Sequence, residues 1–330
     1  RLHPRLRSFP SAMGISDISP LIAARAAELT YYSPYFFLRQ FPGELQQALF
    51  GAGAAKRWNQ ALGAETYHYV AANADVHWLL RQLEWDSVYF GAPVYRLFTG
   101  LFDYQTSTPQ LAQAAVALRQ HLAARTAAFY AFCVVPAEDV RLLQGLTAAG
   151  WQLVETRLTY YRDQLPAFDH PRFPVRTAMA EEAAHIGQIA ARVRNPYDRL
   201  HADARFSDAR ADAYLGQYAQ NTVAGKLAAV VLVPDVVGLP IDSFLAISDL
   251  ESDVAALGAQ LSRVLLTAVG PANRGWHIKL VAETLHRARG LSHEAVLMTT
   301  QATNHAIFRN CEKLGFRLGS TSHVLVCNCL

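Results

Sequence analysis

The chain has 330 residues, 52% of them hydrophobic, and a formal net charge of +3. That length and apolar content support a sizeable core and two domains. A charge so near balance, with Lys and Arg scattered and no basic tract interleaved with aromatics, argues against nucleic acid as a partner. Apolar runs such as Ala228–Val233 are far too short to span a bilayer. The cysteines, Cys133, Cys311, Cys327 and Cys329, have neither zinc-type spacing nor the density of a disulfide scaffold. No metal is therefore expected, and a reducing, cytoplasmic setting is.

From the N-terminus, Arg1–Arg7 is basic, yet no apolar signal-peptide core follows it. Met13 stands as a natural start, which would make residues 1–12 a disordered arm or a remnant of expression. Residues 1–79 are read as a helical extension. Within it the aromatic run Tyr31–Phe41 must be covered, either as a helical cap packing on the first α/β half or as a hydrophobic interface or acceptor pocket. Thr108-Pro109 begins a helix to about Arg125, with proline at the first helical position. Ala127–Val134 follows as a strand. Val140–Leu153 then reads as helix, glycine stop and strand, and His305–Leu318 reads the same way. Gly150-Trp151 matches Gly315-Phe316, Leu153 matches Leu318 and Thr156 matches Thr321, each 165 residues on. The glycine supplies a left-handed cap and the aromatic starts the returning strand. Such caps are common enough for coincidence to stay open. The favoured reading is two related α/β halves, residues 80–170 incomplete and 171–330 complete.

In the second half, Ala180–Val193 is helical, with Ile186, Ile189 and Ala190 on one face. Ser207 caps a helix that aligns Ala211, Tyr214, Leu215 and Tyr218 and stops near Gly225. Lys226–Val233 and Ser243–Asp249 read as paired strands around a Pro/Gly turn, and Arg263–Val269 as the next strand. Arg274–Arg289 is a helix with Ile278, Val281, Ala282, Leu285 and Ala288 facing the core. Glu294–Thr300 is a strand, Asn304–Leu314 a helix and Arg317–Val326 the closing strand.

Val264–Lys279 is the most informative stretch. An apolar run ends at Gly270-Pro271, a polar turn follows, and Arg274-Gly275 opens a helix whose first N–H groups suit a phosphate or pyrophosphate. This layout resembles the acyl-CoA-binding segment of the GNAT superfamily of N-acetyltransferases, whose pattern is Arg/Gln-x-x-Gly-x-Gly/Ala. Arg274 takes the first position, while His277 and Lys279 stand where the glycines would be. The element order α-α-β-β-β-α-β-α-β matches that fold. Leu83–Gly91, with Trp85, is similar to the Trp-(Asp/Glu)-x-x-Phe-Phe-Gly opening of TDP-fucosamine acetyltransferases and their relatives. Tyr197–Phe206, continuing to Ala211-Asp212 and Tyr214, is similar to the segment joining the first two helices in that group. The resemblance covers about residues 80–330 and implies an α/β GNAT fold with a partial GNAT-like half ahead of a complete one.

It also implies transfer of an acetyl group from acetyl-CoA to a primary amine, that of a nucleotide-linked deoxyamino sugar, a small-molecule acceptor. It assigns the acyl-CoA site to the backbone of Leu265, Leu266, Thr267, Ala268 and Val269 and to the turn Arg274, Gly275, Trp276, His277, Ile278 and Lys279. Asn304 joins them, and is equally a helix N-cap. Side chains at His277 and Lys279 either displace the pyrophosphate or grip it as cations. Cys311 stands where relatives carry a tyrosine that protonates the CoA thiolate. A thiol with pKa near about 8.5 can donate that proton; alternatively Cys311 is a small core residue in line with Ile307 and Leu314. His201 is the candidate base, with Asp203 and Asp212 to orient it or to bind the ammonium, or it is a surface histidine. Tyr197, Arg199, Asp203 and Arg205 are candidate contacts to the acceptor, Arg199 or Arg205 meeting its diphosphate. His323 and Glu283 are weaker, a strand residue and a solvated helix face. Two rivals remain, a non-catalytic scaffold that has lost the glycine cradle and the general acid, and acetylation of a peptide or protein amine. A homodimer stays open.

Overall fold

The computed structural model describes residues 17–71 and 74–329, so the arm at residues 1–12 lies outside the described residues. Four short helices come first: α1 (Ser19–Ala24), α2 (Ala26–Leu29), α3 (Gly43–Leu49) and α4 (Ala52–Lys56). Next come β1 (Ala64–Ala71), β2 (Ala74–Gln82), α5 (Glu84–Phe90), β3 (Val94–Leu101), α6 (Thr108–Arg125), β4 (Phe129–Pro136), α7 (Val140–Ala148) and β5 (Gln152–Arg162). The chain continues with β6 (Val175–Thr177), α8 (Ala183–Arg192), α9 (Asp208–Val223), β7 (Val230–Pro234), β8 (Ser243–Ser248) and α10 (Glu251–Leu257). It closes with β9 (Leu261–Val269), α11 (Trp276–Gly290), β10 (Ala295–Gln301), α12 (His305–Lys313) and β11 (Arg317–Cys329).

Residues 64–71 and 74–79, expected within a helical extension, instead belong to the antiparallel pair β1–β2, matched from Ala64–Arg81 to Ala71–Ala74. The reason is local composition: Thr66, Tyr67, Tyr69 and Val70 favour a pleated surface, and Val76, Trp78, Leu79 and Leu80 are buried almost completely.

All strands join one sheet in the order β1-β2-β3-β4-β11-β5-β10-β9-β8-β7-β6. Its neighbours are antiparallel except for two parallel pairs, β3 with β4 and β9 with β10. The last strand, β11, lies between β4 and β5, and β5 lies between β11 and β10. The sheet is therefore continuous across residues 170 and 171. Each parallel pair stays in register briefly. Val94–Leu97 runs against Tyr130–Cys133, and Leu261–Val264 against Ala295–Met298. Beyond Leu97 and Val264 the strands continue unpaired with each other, which opens a wedge in each.

Helices cover both faces. On one, α6 and α7 bring Leu111, Leu118, Leu142 and Leu146 onto Trp78, Leu97 and Cys133, and α11 and α12 bring Leu280, Leu285 and Leu314 onto Leu245, Val264 and Met298. Adjacent strand residues point to opposite faces, so Leu297 faces the other way. There Tyr35, Leu38 and Phe41 pack on Leu261, Ala295, Leu297 and Tyr161, and α8 and α9 pack on Val231, Val233 and Phe244. Phe37 stacks on Tyr161 at 4.9 Å between ring centroids. Much of the aromatic run at residues 31–41 is thus core, each buried ring contributing roughly 1.5–3 kcal/mol.

Candidate functional site

The cleft of interest opens where β9 and β10 part. At that point Ala246 pairs with Leu266 and Ile247 with Val264, which leaves Leu265 bulged out of the β8–β9 ladder. A bulge frees backbone groups and re-aims the flanking side chains. A cavity of about 590 Å³ passes through the wedge, lined by Val264–Val269, Met298–Gln301 and residues of α12 that include Ile307 and Asn310.

The loop after β9 is held from below. Gly270 donates its N–H to the Asp242 carbonyl at 2.6 Å, and Ala272 donates to the Asp242 carboxylate at 2.9 Å. Arg192 pairs with the same carboxylate. A Cβ on Gly270 would meet that carboxylate at 2.2 Å, so only glycine fits. Buried Asn273 accepts from the Asp242 N–H at 3.0 Å and the Ser243 hydroxyl at 2.7 Å, and donates to the Pro240 carbonyl at 3.0 Å. Gly275 then turns the chain at φ +85°, a left-handed conformation, into α11. No side chain caps α11, so its first N–H groups are available to a ligand.

His277 lines this cleft. Its Nδ1 accepts from Asn310 Nδ2 at 3.0 Å, which leaves the ring proton on Nε2, a buried atom without a partner. Burial pushes its pKa down to about 4. The ring is therefore neutral near pH 7, so of the two alternatives at His277 the cationic grip falls away and the displacing side chain stays. Lys279 turns aside, its Nζ 4.6 Å from the Trp276 ring centroid and 5.5 Å from that of Phe173. Trp276 itself is core, and Arg274 and Gly275 are exposed at the turn outside the cleft lining. Ile278 packs at the edge of the same core. Asn304 lines the cleft and caps α12, accepting from the Ile307 N–H at 3.4 Å.

Two candidate catalytic residues lie elsewhere. Cys311 is wholly buried in the α11–α12 core, outside the cleft lining, and burial pushes its thiol up to about 12. Helix spacing put it near the corner, but its side chain faces inward with Leu314. His201 is also enclosed: Nδ1 meets Asp198 Oδ2 at 2.7 Å and Nε2 meets Asp212 Oδ1 at 3.0 Å. With both nitrogens committed to carboxylates and neither in the cleft, His201 ties the loop before α9 together instead of facing an acceptor. Asp203 is buried and accepts from the Arg205 N–H at 3.1 Å; neither residue lines the cleft. Tyr197 and Arg199 do, and the Arg199 guanidinium sits 4.1 Å from the Phe132 ring centroid. Glu283, expected on a solvated face, is buried and binds Arg172 Nε at 2.9 Å and the Phe173 N–H at 2.6 Å.

The cleft also holds one carboxylate that no motif pointed to. Glu155, only 4% exposed, accepts from Gln301 at 2.8 Å and from Arg157 at 2.8 Å. Asp198 and Tyr214 line it as well. Away from it, on the edge pair β1–β2, His68 and His77 direct Nε2 at Asp75 Oδ1 from 2.7 and 3.1 Å. Among the described residues no helix is long and apolar enough to cross a membrane.

No family model and no curated protein matches this sequence. Among solved structures it is similar to a GCN5-related N-acetyltransferase from Sphaerobacter thermophilus, with TM-score 0.53 and 13% identity over 94% of this chain and 93% of that one. It is also similar to a GCN5-related N-acetyltransferase from Kribbella flavida, with TM-score 0.46 and 16% identity over 96% of each chain. A tandem GNAT protein from the clavulanic acid biosynthesis pathway gives TM-score 0.44 and 14% identity over 93% of this chain and 95% of its own. Identities this low bear on architecture alone, and on the strength of the Sphaerobacter likeness the chain has the α/β fold of the GCN5-related N-acetyltransferases.

Proposed function

We propose that this chain is an acyl-CoA-dependent N-acyltransferase, with the donor entering the wedge between β9 and β10 and the acceptor amine arriving from the opposite sheet face. One observation carries this reading: the parted strands leave a cleft bordered by His277, Asn304 and Asn310 at one end and by Glu155, Arg157, Arg199 and Tyr214 at the other. Two substrates can meet there through separate entrances. The backbone of Leu265–Val269, unpaired on its β10 side, offers groups that an extended amide-bearing arm pairs with much as a strand would. The uncapped start of α11 offers N–H groups to a diphosphate. The residues present fit such a donor in these respects, and depart in one, since the His277 ring takes room that a glycine would leave.

Bound there, acyl-CoA supplies an activated acyl carbonyl. On the acceptor side, Glu155 and Asp198 are carboxylates in the cleft lining. Glu155, oriented by Gln301 and Arg157, holds the incoming ammonium and takes one proton; as the C–N bond forms the thioester C–S bond breaks, and the amine's second proton leaves with the CoA sulfur as the thiol. The finer reading is a nucleotide-linked deoxyamino sugar, for which Tyr197 and Tyr214 offer stacking faces and Arg199 a partner for the diphosphate.

Calorimetric titration with acetyl-CoA tests the donor. Ligand far above its Kd should raise stability by roughly 2–4 kcal/mol. Thiol release with a TDP-linked 4-amino-4,6-dideoxyhexose, lysine peptides and simple amines then ranks the acceptors. No heat, with a flat melting temperature across millimolar acetyl-CoA, overturns the enzyme reading. It would leave a non-catalytic scaffold, which the His277 ring in the cleft and the buried Cys311 favour.

A further inference from the structure

The sheet face opposite α11 and α12 gathers arginines from across the chain. Arg81 of β2 and Arg96 of β3 are direct partners in register. Arg96 is level with Phe132 in the β3–β4 ladder, and the Arg199 guanidinium lies over that same Phe132 ring. Arg157 of β5 shares the cleft with Arg199. It is the partner of Gln301, two positions from Thr159 and Thr299, whose hydroxyls meet at 3.0 Å on this face. Arg263 of β9 completes the set. Arg96 is open to solvent but set among the others. Its pKa is pushed down by desolvation in the concavity, and then by the charges of Arg157, Arg81, Arg199 and Arg263.

Anionic partners for these side chains are few. Glu155 binds Arg157 at 2.8 Å. Asp86, which accepts from the Tyr214 hydroxyl at 2.9 Å, acts on Arg199 through space, and Asp203 acts on neighbouring Tyr130. Arg81 Nε, Arg263 Nε and Arg199 Nη1 are buried without an acceptor. Clustered like charges repel, and buried N–H groups without acceptors are costly, unless an anion meets both needs.

We propose that this concavity is an anion subsite for the acceptor, seating a multiply charged phosphoanion of the phosphate or diphosphate class among Arg96, Arg157 and Arg199, with Arg81 and Arg263 flanking. The acyltransferase reading gives the subsite its purpose. Guanidinium forks match phosphate oxygens in pairs, whereas a single carboxylate would leave most of these donors unused. A donor diphosphate at the start of α11 belongs to the other face, so it does not account for the cluster.

Inorganic pyrophosphate is the probe, titrated into the full chain by calorimetry at low ionic strength, with and without excess CoA. Binding should persist with CoA present and weaken as salt rises. With CoA present, Arg96→Met and Arg157→Met should each weaken it at least tenfold, and Lys313→Ala, at the exposed end of α12 on the other face, should leave it unchanged. Thermal melts give a second readout. Without anion, Arg96→Met should melt above the wild type, because a repelling charge has gone, and pyrophosphate should stabilise the wild type far more than the variant. Absent binding overturns the proposal. So does loss of binding on Lys313→Ala, or an Arg96→Met protein that melts lower yet gains as much from pyrophosphate as the wild type. Failure of the acyltransferase reading would look different, with no response to CoA and the pyrophosphate response intact.

Discussion

Replacing His277 with phenylalanine tests whether the donor end of the cleft carries a neutral ring or a cation. The ring's pKa is lowered from 6.5 to about 4 by burial. A base whose folded pKa is depressed takes up its proton first in the unfolded chain. Its contribution is therefore intact above pH 6.5 and is lost as pH falls from there towards 4. At about 1.36 kcal/mol per unit, the limiting loss is about 3 kcal/mol, and partial contact of the ring with solvent reduces this to about 2 kcal/mol. Phenylalanine keeps the shape and cannot titrate. It also loses the bond to Asn310, a pH-independent cost of about 1 kcal/mol. The measurement is urea denaturation of both proteins from pH 7 to pH 4. The wild type should lose about 2 kcal/mol more than His277→Phe across that range, the curves converging or crossing on the acid side. Parallel curves would refute the reasoning. They would mean that His277 protonates as readily in the folded chain as in the unfolded one and can serve as a cation beside a donor diphosphate.

Cys311→Ala should cost about 1 kcal/mol, in the range for removing one small buried group, and leave turnover in the folded fraction unchanged. A hundredfold fall in kcat at an unchanged melting temperature would restore Cys311 as the proton donor. Asp139→Ala should cost about 3–5 kcal/mol in chemical denaturation, because it strands a buried Arg25; the two are bonded at 2.5 and 2.9 Å and nearly inaccessible. Arg25→Met with Asp139→Leu should recover most of that loss, and a single-variant cost under about 1 kcal/mol would show that the pair is not what holds α1 and α2 in place.

Features that depend on a few neighbouring residues were legible. The Thr108-Pro109 start, the Ser207 cap and the glycine stops at Gly150 and Gly315, with φ +84° and +73°, all sit where the local pattern puts them. Short elements escaped: β6 has three residues, and α10 is a single short helix between strands. The insertion of β11 between β4 and β5 is a long-range pairing that no window of sequence contains. The site divides the same way. Leu265–Val269 and Asn304, singled out where a strand or turn meets a helix start in the chain, do line the cleft. Glu155, Arg157 and Arg96 were not singled out, since an isolated charged residue in a strand carries no period and acquires meaning only from what lies across the sheet. His201 and Cys311 show the converse. Residue type and neighbourhood in the sequence suggested chemistry, but side-chain direction decides it, and that depends on carboxylates at positions 198 and 212 and on the packing of α12 against α11.

The two wedges show why the sheet leaves one cleft open here. In both, the parallel strands part after four paired positions. In the first, Arg25 spans the gap from the Gly100 carbonyl, at 3.2 Å, to the Asp139 carboxylate, with its guanidinium 4.3 Å from the Phe102 ring centroid. Tyr32 adds a hydroxyl bond to Asp139 at 2.7 Å. Asp139 caps α7 as Asn304 caps α12, each accepting an N–H at 3.4 Å three residues on. Thr99 and Gly100 lie two and three residues past the last paired position, where the second wedge has Leu266 and Thr267 on its cleft wall. An acidic cap in the first holds an internal guanidinium that fills the wedge, whereas the second has a neutral asparagine at the matching place and its wedge stays open as the cleft. Asp139→Asn should therefore remove the charge that holds Arg25 and loosen α1 and α2 over the opening, seen as a fall in stability on chemical denaturation.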